Sequence, residues 1–142
     1  MEENNRFQMD VEVVAQALKR RAGKEDPYTT VEKLYKQFQT TRQEPVKLAV
    51  ALQGYFIEAA SDAQRHDFEI YLKSRIRPTI RTLIDEEDVA KIEYLEQQGW
   101  FGSRELEYFI KTAREHKKTA SLVWFLHLKN EKYGFEEQDF SL

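Results

Sequence analysis

The side chains in this sequence best suited to chemistry are three histidines and a surplus of carboxylates. Asp62 and His66 stand four apart, so a helix would put them on one face. Two ligands do not make a metal site, which needs three or four, and no third ligand is predictable nearby. The pair reads as a helix-surface contact, and no metal or cofactor is expected. His116 follows Glu115 near a helix C-terminus, where the dipole favours an imidazolium. His127 sits in the apolar run Leu122–Leu128 with Glu131 one turn later. A buried imidazole held by a carboxylate has the chemistry of a base or a pH switch, so an enzyme or ligand sensor around His127 is one reading. The plainer reading is a partly buried histidine satisfied by Glu131 or by a backbone carbonyl.

Nucleophilic machinery is missing. The chain has no cysteine, no Gly-x-Ser-x-Gly elbow and no glycine-rich phosphate loop. Gly102-Ser103 reads as a helix start. The expectation is a protein that is not an enzyme.

Cations form three clusters. Lys73, Arg77 and Arg81 fall at i, i+4 and i+8, with Arg75 close by, and make a stripe if one helix runs through Pro78. Lys19, Arg20, Arg21 and Lys24 form the second cluster, and Arg114, Lys117 and Lys118 the third. Such stripes suit an acidic protein partner or phosphates. They also suit a solvated face, with the acidic run Asp85–Asp88 as counter-charge. The whole chain carries 22 basic and 25 acidic residues, so nothing in its net charge draws it to nucleic acid or anionic membrane. A nucleic-acid-associated helical protein is thus an alternative, and nucleic acid is not the expected partner. Trp100-Phe101 is an aromatic connector that serves either as a protein-binding anchor or as a plug between helix ends. The tail Phe135–Leu142 alternates acidic and aromatic residues and would suit a basic-rimmed apolar groove. The partner-binding candidates are therefore Lys73, Arg77, Arg81, Trp100 and Phe101.

The elements that must position these residues read as helices. The 142 residues suit one domain, and with 41% hydrophobic residues they can bury a core. Five glycines and three prolines are too few for the turns of a β-sandwich. Met1–Gln8 reads as a flexible arm without the apolar stretch of a signal peptide. With no cysteine and no run long enough to span a bilayer, a cytoplasmic protein is expected.

Asp10 is read as the cap of a first helix carrying Val11, Val14, Ala15, Leu18 and Ala22. Thr29 and Glu32 have the spacing of a capping box ahead of Val31, Leu34, Tyr35 and Phe38. Pro45 suits the first turn of a third helix, apolar on more than one face and therefore central, which continues to Ala60. Gly54 within it is either a tolerated glycine or the seat of a close helix crossing. Ser61 or Asp62 caps a fourth helix with Phe68, Tyr71, Leu72 and Ile76, which Pro78 bends or breaks. Asp85–Asp88 opens a fifth helix with Val89, Ile92 and Leu95, ended by Gly99. Ser103 caps a sixth, carrying Leu106, Phe109, Ile110 and Ala113. Thr119 caps a seventh, closed by Gly134. Val123–Phe125 also has strand-forming residues, but its flanks extend the helical pattern too far for a strand.

Short connectors make these helices antiparallel neighbours. The expected fold is all-α: six to eight short helices stacked as hairpins over residues 9–134, with the arm 1–8 and the tail 135–142 outside it. Ala90–Leu95 aligns with Ser121–Leu126 at a period of 31, within the range of helical-hairpin repeats. From Val89 to Gly134 the chain resembles a degenerate ankyrin-type unit. Ile92–Gly99 looks like the end of one unit, and Arg104–His116 with Thr119–Tyr133 like the two helices of the next. The Thr-Pro-Leu-His signature and a clear β-turn finger are lacking. The texture is also similar to small helical bacterial proteins that carry no assigned activity. The resemblance implies a non-catalytic interaction or adaptor role with another protein as partner, the oligomeric state and pathway being left open.

Overall fold

The computed structural model describes residues 2–133, and within them the chain is all-α. The helices are α1 (Glu2–Arg21), α2 (Pro27–Thr40), α3 (Glu44–Tyr55), α4 (Asp62–Ser74), α5 (Ile76–Asp85), α6 (Val89–Gln97), α7 (Ser103–Glu115) and α8 (Thr119–Leu128). A π-helical turn, Lys129–Tyr133, follows α8. Val123–Phe125 is helical, and no helix among the described residues is long and apolar enough to cross a membrane. Gly134 and the tail 135–142 lie outside the described residues. The chain forms two compact units, Met1–Arg75 and Ile76–Leu142.

In the first unit α3 packs against α1, α2 and α4. Leu48–Leu52 are all buried, as a helix apolar all round requires. Gly54 is the close crossing: the Phe68 ring of α4 lies against its backbone. The helix stops at Tyr55, short of Ala60. Its continuation turns back, and Arg65 Nη2 donates to the Ile57 carbonyl at 2.8 Å and the Glu58 carbonyl at 3.3 Å.

Four caps differ from the sequence reading. Ser103 and Thr119, read as caps, are the first residues of α7 and α8, whose cap positions Gly102 and Lys118 make no side-chain bond. Residues 2–8, read as an arm, are helical, and Asp10 lies inside α1. Gln8, Val11 and Ala15 are buried, so packing carries the helix past the point where local capping chemistry would start it. The second helix starts at Pro27, and its cap is Asp26, whose carboxylate accepts the Thr29 N–H at 3.0 Å. Proline at the first helical position loses no hydrogen bond there, so the Asp-Pro pair outcompetes Thr29. Glu32 is thereby released from a capping box and accepts Gln64 Nε2 at 2.6 Å, tying α2 to α4. Gln64 also completes a true capping box with Ser61.

Pro78 decides where α4 ends. Its ring would crowd the Ser74 carbonyl four residues back, and Ser74 is the last residue of α4. Arg75 takes a non-helical conformation, and α5 restarts so that Pro78 falls in its first turn, where no N–H is needed.

The second unit contains two hairpins, α5–α6 and α7–α8, with matching corners. Glu87 and Lys117 both adopt positive φ, 53° and 57°. In each corner the next N–H reaches back five residues, Asp88 to the Leu83 carbonyl at 3.0 Å and Lys118 to the Ala113 carbonyl at 2.8 Å. The spacing is 30, not the 31 of the sequence alignment. At 31, buried Ile92 and Leu95 would match exposed Val123 and Leu126; at 30, Leu95 matches Phe125, and both are fully buried.

The corners differ in one cap. Asp88 accepts the Lys91 N–H of its own helix at 3.3 Å, whereas Lys118 has no acceptor to offer. Glu87, in the first corner, supplies it instead and accepts the Ala120 N–H at 3.3 Å. Phe101 meets Phe109 edge-on at 5.1 Å, and Phe109 stacks on Phe125 at 5.7 Å. Lys132 of the π turn reaches the buried Glu96 carboxylate at 2.5 Å, and this bond holds the Lys132 ammonium pKa above its ordinary value.

Candidate functional site

No single helix carries the cationic stripe. The break at Arg75 separates Lys73 on α4 from Arg77 and Arg81 on α5, so the i, i+4, i+8 alignment is lost. Each cation is engaged locally. Lys73 pairs with Glu69 at 2.7 Å, and the Arg77 guanidinium lies 4.5 Å from the Tyr108 ring centroid. Arg81 Nε donates to both Asp85 oxygens at 3.1 and 3.2 Å in a largely buried pair. Of the acidic run, Asp85 thus serves as counter-charge, while Asp88 and Glu87 cap helices.

Trp100 and Phe101 are buried, as the plug reading expects and against the exposed anchor. The chain turns at Gly99 (φ 80°), and the Trp100 N–H closes on the Leu95 carbonyl, drawing both aromatic residues inward over the ends of α6 and α7. His127 makes the Glu131 contact of its plainer reading, but without the burial that either reading expected. Its side chain is 66% exposed and pairs with Glu131 at 3.0 Å, on the outside of α8. A buried base or switch there is not formed. No group of three or more His, Asp or Glu side chains among the described residues is placed to hold a metal ion.

Two surfaces emerge that sequence reasoning missed. The first is α8. Its sequence is the most apolar of the helices, yet only Ser121 and Phe125 are buried. Val123 is 60% exposed and Leu126 41%. The apolar run was visible in the sequence; the exposure of Val123 and Leu126 was not.

The second is a groove of about 400 Å³ on the first unit, lined by Phe38, Lys47, Asp67, Ile70, Tyr71 and Arg75. α2 contributes Phe38, α3 contributes Lys47, and α4 runs along the remaining wall. Lys47 Nζ lies 5.0 Å from the Phe38 ring centroid and 5.2 Å from that of Tyr71. The Arg75 guanidinium lies 4.2 Å from the Tyr71 centroid. The ring faces offer negative potential that attracts both cations. The Tyr71 hydroxyl donates to Glu44 at 2.6 Å, and burial together with that bond pushes the phenol pKa well above its ordinary value. The Tyr35 hydroxyl donates to Asp67, and that bond raises the Tyr35 pKa likewise. Tyr71 and Arg75 have helical i, i+4 spacing and were legible as neighbours; Lys47 and Phe38 come from other helices and were not.

A wider cleft of about 560 Å³ opens beside the ends of α1 and α3, with Ala22, Tyr28, Gln53 and Ile57 in its lining. None of the residues singled out in the sequence as candidate partner contacts lines it.

No family model, no curated protein and no solved structure matches this chain.

Proposed function

We propose that this chain is a non-catalytic protein–protein interaction module that presents α8 to a protein partner. The observation that carries the reading is the exposure of Val123 and Leu126 on the most apolar helix of the fold. Exposed apolar side chains with charged neighbours suit a binding face, and covering them would remove hydrocarbon from water. The flanking pairs Lys129–Glu107 and His127–Glu131 supply a polar rim. The recurrence of one hairpin corner at 30 residues supports the ankyrin-type resemblance, in which stacked hairpins offer their faces to other proteins. A chain without cysteine fits a reducing, cytoplasmic setting, which is part of the proposal.

The test compares the full chain with a Val123→Glu/Leu126→Glu variant whose helical circular dichroism and melting are unchanged. Proteins captured by the wild type are purified and assayed for direct binding. The proposal expects direct binding that the variant weakens by about tenfold or more, the equivalent of 1.4 kcal/mol. Equal binding by both proteins removes α8 as the contact face.

A further inference from the structure

We infer that the Lys47–Tyr71–Arg75 groove is a second binding site, which takes an acidic linear peptide segment with an aromatic or aliphatic side chain beside its carboxylates. Charge complementarity carries the inference. Among the described residues the Lys47 ammonium meets two aromatic rings and no carboxylate. Every other charged group facing the groove has its own engagement. Asp67 accepts from Tyr35, and Arg75 lies 3.4 Å from Glu44 and 2.9 Å from the Ser74 hydroxyl. The half-buried Lys47 is thus the cation left to meet an incoming anion, and Arg75 lies over the same Tyr71 ring.

The groove is larger than a simple anion needs. Ile70 stands 57% exposed at its edge, while the Phe38 and Tyr71 rings in its lining are almost wholly covered. A carboxylate at Lys47 would let a neighbouring side chain of an extended peptide lie against Ile70. A charge-assisted bond then fixes the register, and apolar contact adds affinity. A neutral apolar segment leaves Lys47 unanswered, and a bare phosphate leaves Ile70 wet. This site lies in the Met1–Arg75 unit and does not use α8, so it stands or falls separately from the proposed α8 contact.

The experiment uses the full chain and a fluorescein-labelled peptide, Ser-Glu-Glu-Phe-Asp-Leu-Glu-Ser, followed by anisotropy. Saturable binding is expected below about 1 mM. Lys47→Met, which keeps the stem against the rings, is expected to weaken it roughly tenfold, the scale of one charge-assisted bond. Ile70→Asp, at an exposed position that leaves the core alone, is expected to do the same. The Val123→Glu/Leu126→Glu variant is expected to bind like the wild type. Four results overturn the inference: no saturation by the wild type, equal binding of the Gln/Asn version of the peptide, equal binding by Lys47→Met and Ile70→Asp, or full competition by inorganic phosphate at the peptide's own concentration.

Discussion

The edge of the Phe68 ring occupies the space that a Cβ on Gly54 would need, with Cε2 and Cζ both 2.6 Å from that position. The ring cannot swing aside freely, because it meets Phe38 edge-on at 5.1 Å and Tyr35 at 5.8 Å. This contact sets how closely α3 and α4 approach, and with them the walls of the Lys47–Tyr71 groove.

Gly54→Ala is therefore expected to destabilise the chain, although alanine in a helix interior normally gains about 1 kcal/mol over glycine. Overpacking a rigid ring costs roughly 1–3 kcal/mol, which outweighs that gain. Urea denaturation measures the difference. Phe68→Leu added to Gly54→Ala is expected to recover part of the loss relative to Phe68→Leu alone. A more stable Gly54→Ala would show that the helices separate without cost.

The two hairpin corners make a matched pair for a backbone test. Lys117 holds positive φ with a side chain that favours the opposite sign, so Lys117→Gly is expected to stabilise by about 1 kcal/mol. Glu87→Gly relieves the same strain but removes the carboxylate that accepts the Ala120 N–H. Its gain is expected to be smaller. Thermal melts of both variants decide the point, and equal gains would mean that Glu87 contributes nothing to the start of α8.

Arg81 and Lys73, equivalent members of one stripe in the sequence, are expected to respond differently to substitution. Arg81→Met strands Asp85 in a largely buried site and is expected to cost about 2–3 kcal/mol, below the ~3–5 of a fully buried pair. Lys73→Met breaks an exposed pair and is expected to change stability by less than about 0.5 kcal/mol. Chemical denaturation separates these values, and similar losses would contradict the burial difference.

Acid should weaken the α2 cap. The Thr29 hydroxyl and N–H both donate to Asp26 and hold its carboxyl pKa below the ordinary value. A carboxyl lowered in the folded state stabilises above its unfolded pKa, and that contribution is lost as pH falls through the folded one. Asp26→Asn keeps an oxygen acceptor at the cap but removes the titration. The wild type is expected to melt above Asp26→Asn at neutral pH, with the gap closing as pH falls below the carboxylate range. A gap independent of pH would leave the charge without a role.

Element type and much of its punctuation were legible in the order of residues alone. Apolar positions at helical spacing, few turn residues and local signals at Pro45, Ser61, Asp85–Asp88 and Gly99 were enough to make the chain all-α. These signals work because capping and periodicity act within one or two turns. Even there, Asp26 with Pro27 displaced Thr29, and the buried face of α1 carried that helix across the segment read as an arm.

Only the tertiary structure decided which apolar side chains find cover. α8 is apolar all round, so its pattern does not say which side meets α7; Phe125 went in, while Val123, Leu126 and His127 stayed out. Trp100 and Phe101 went in because Gly99 turned the chain over the helix ends. The stripe through Lys73, Arg77 and Arg81 depended on a helix that Pro78 interrupts. The Lys47 groove joins three helices, and a contact between distant positions leaves no periodic trace in either of the segments that make it.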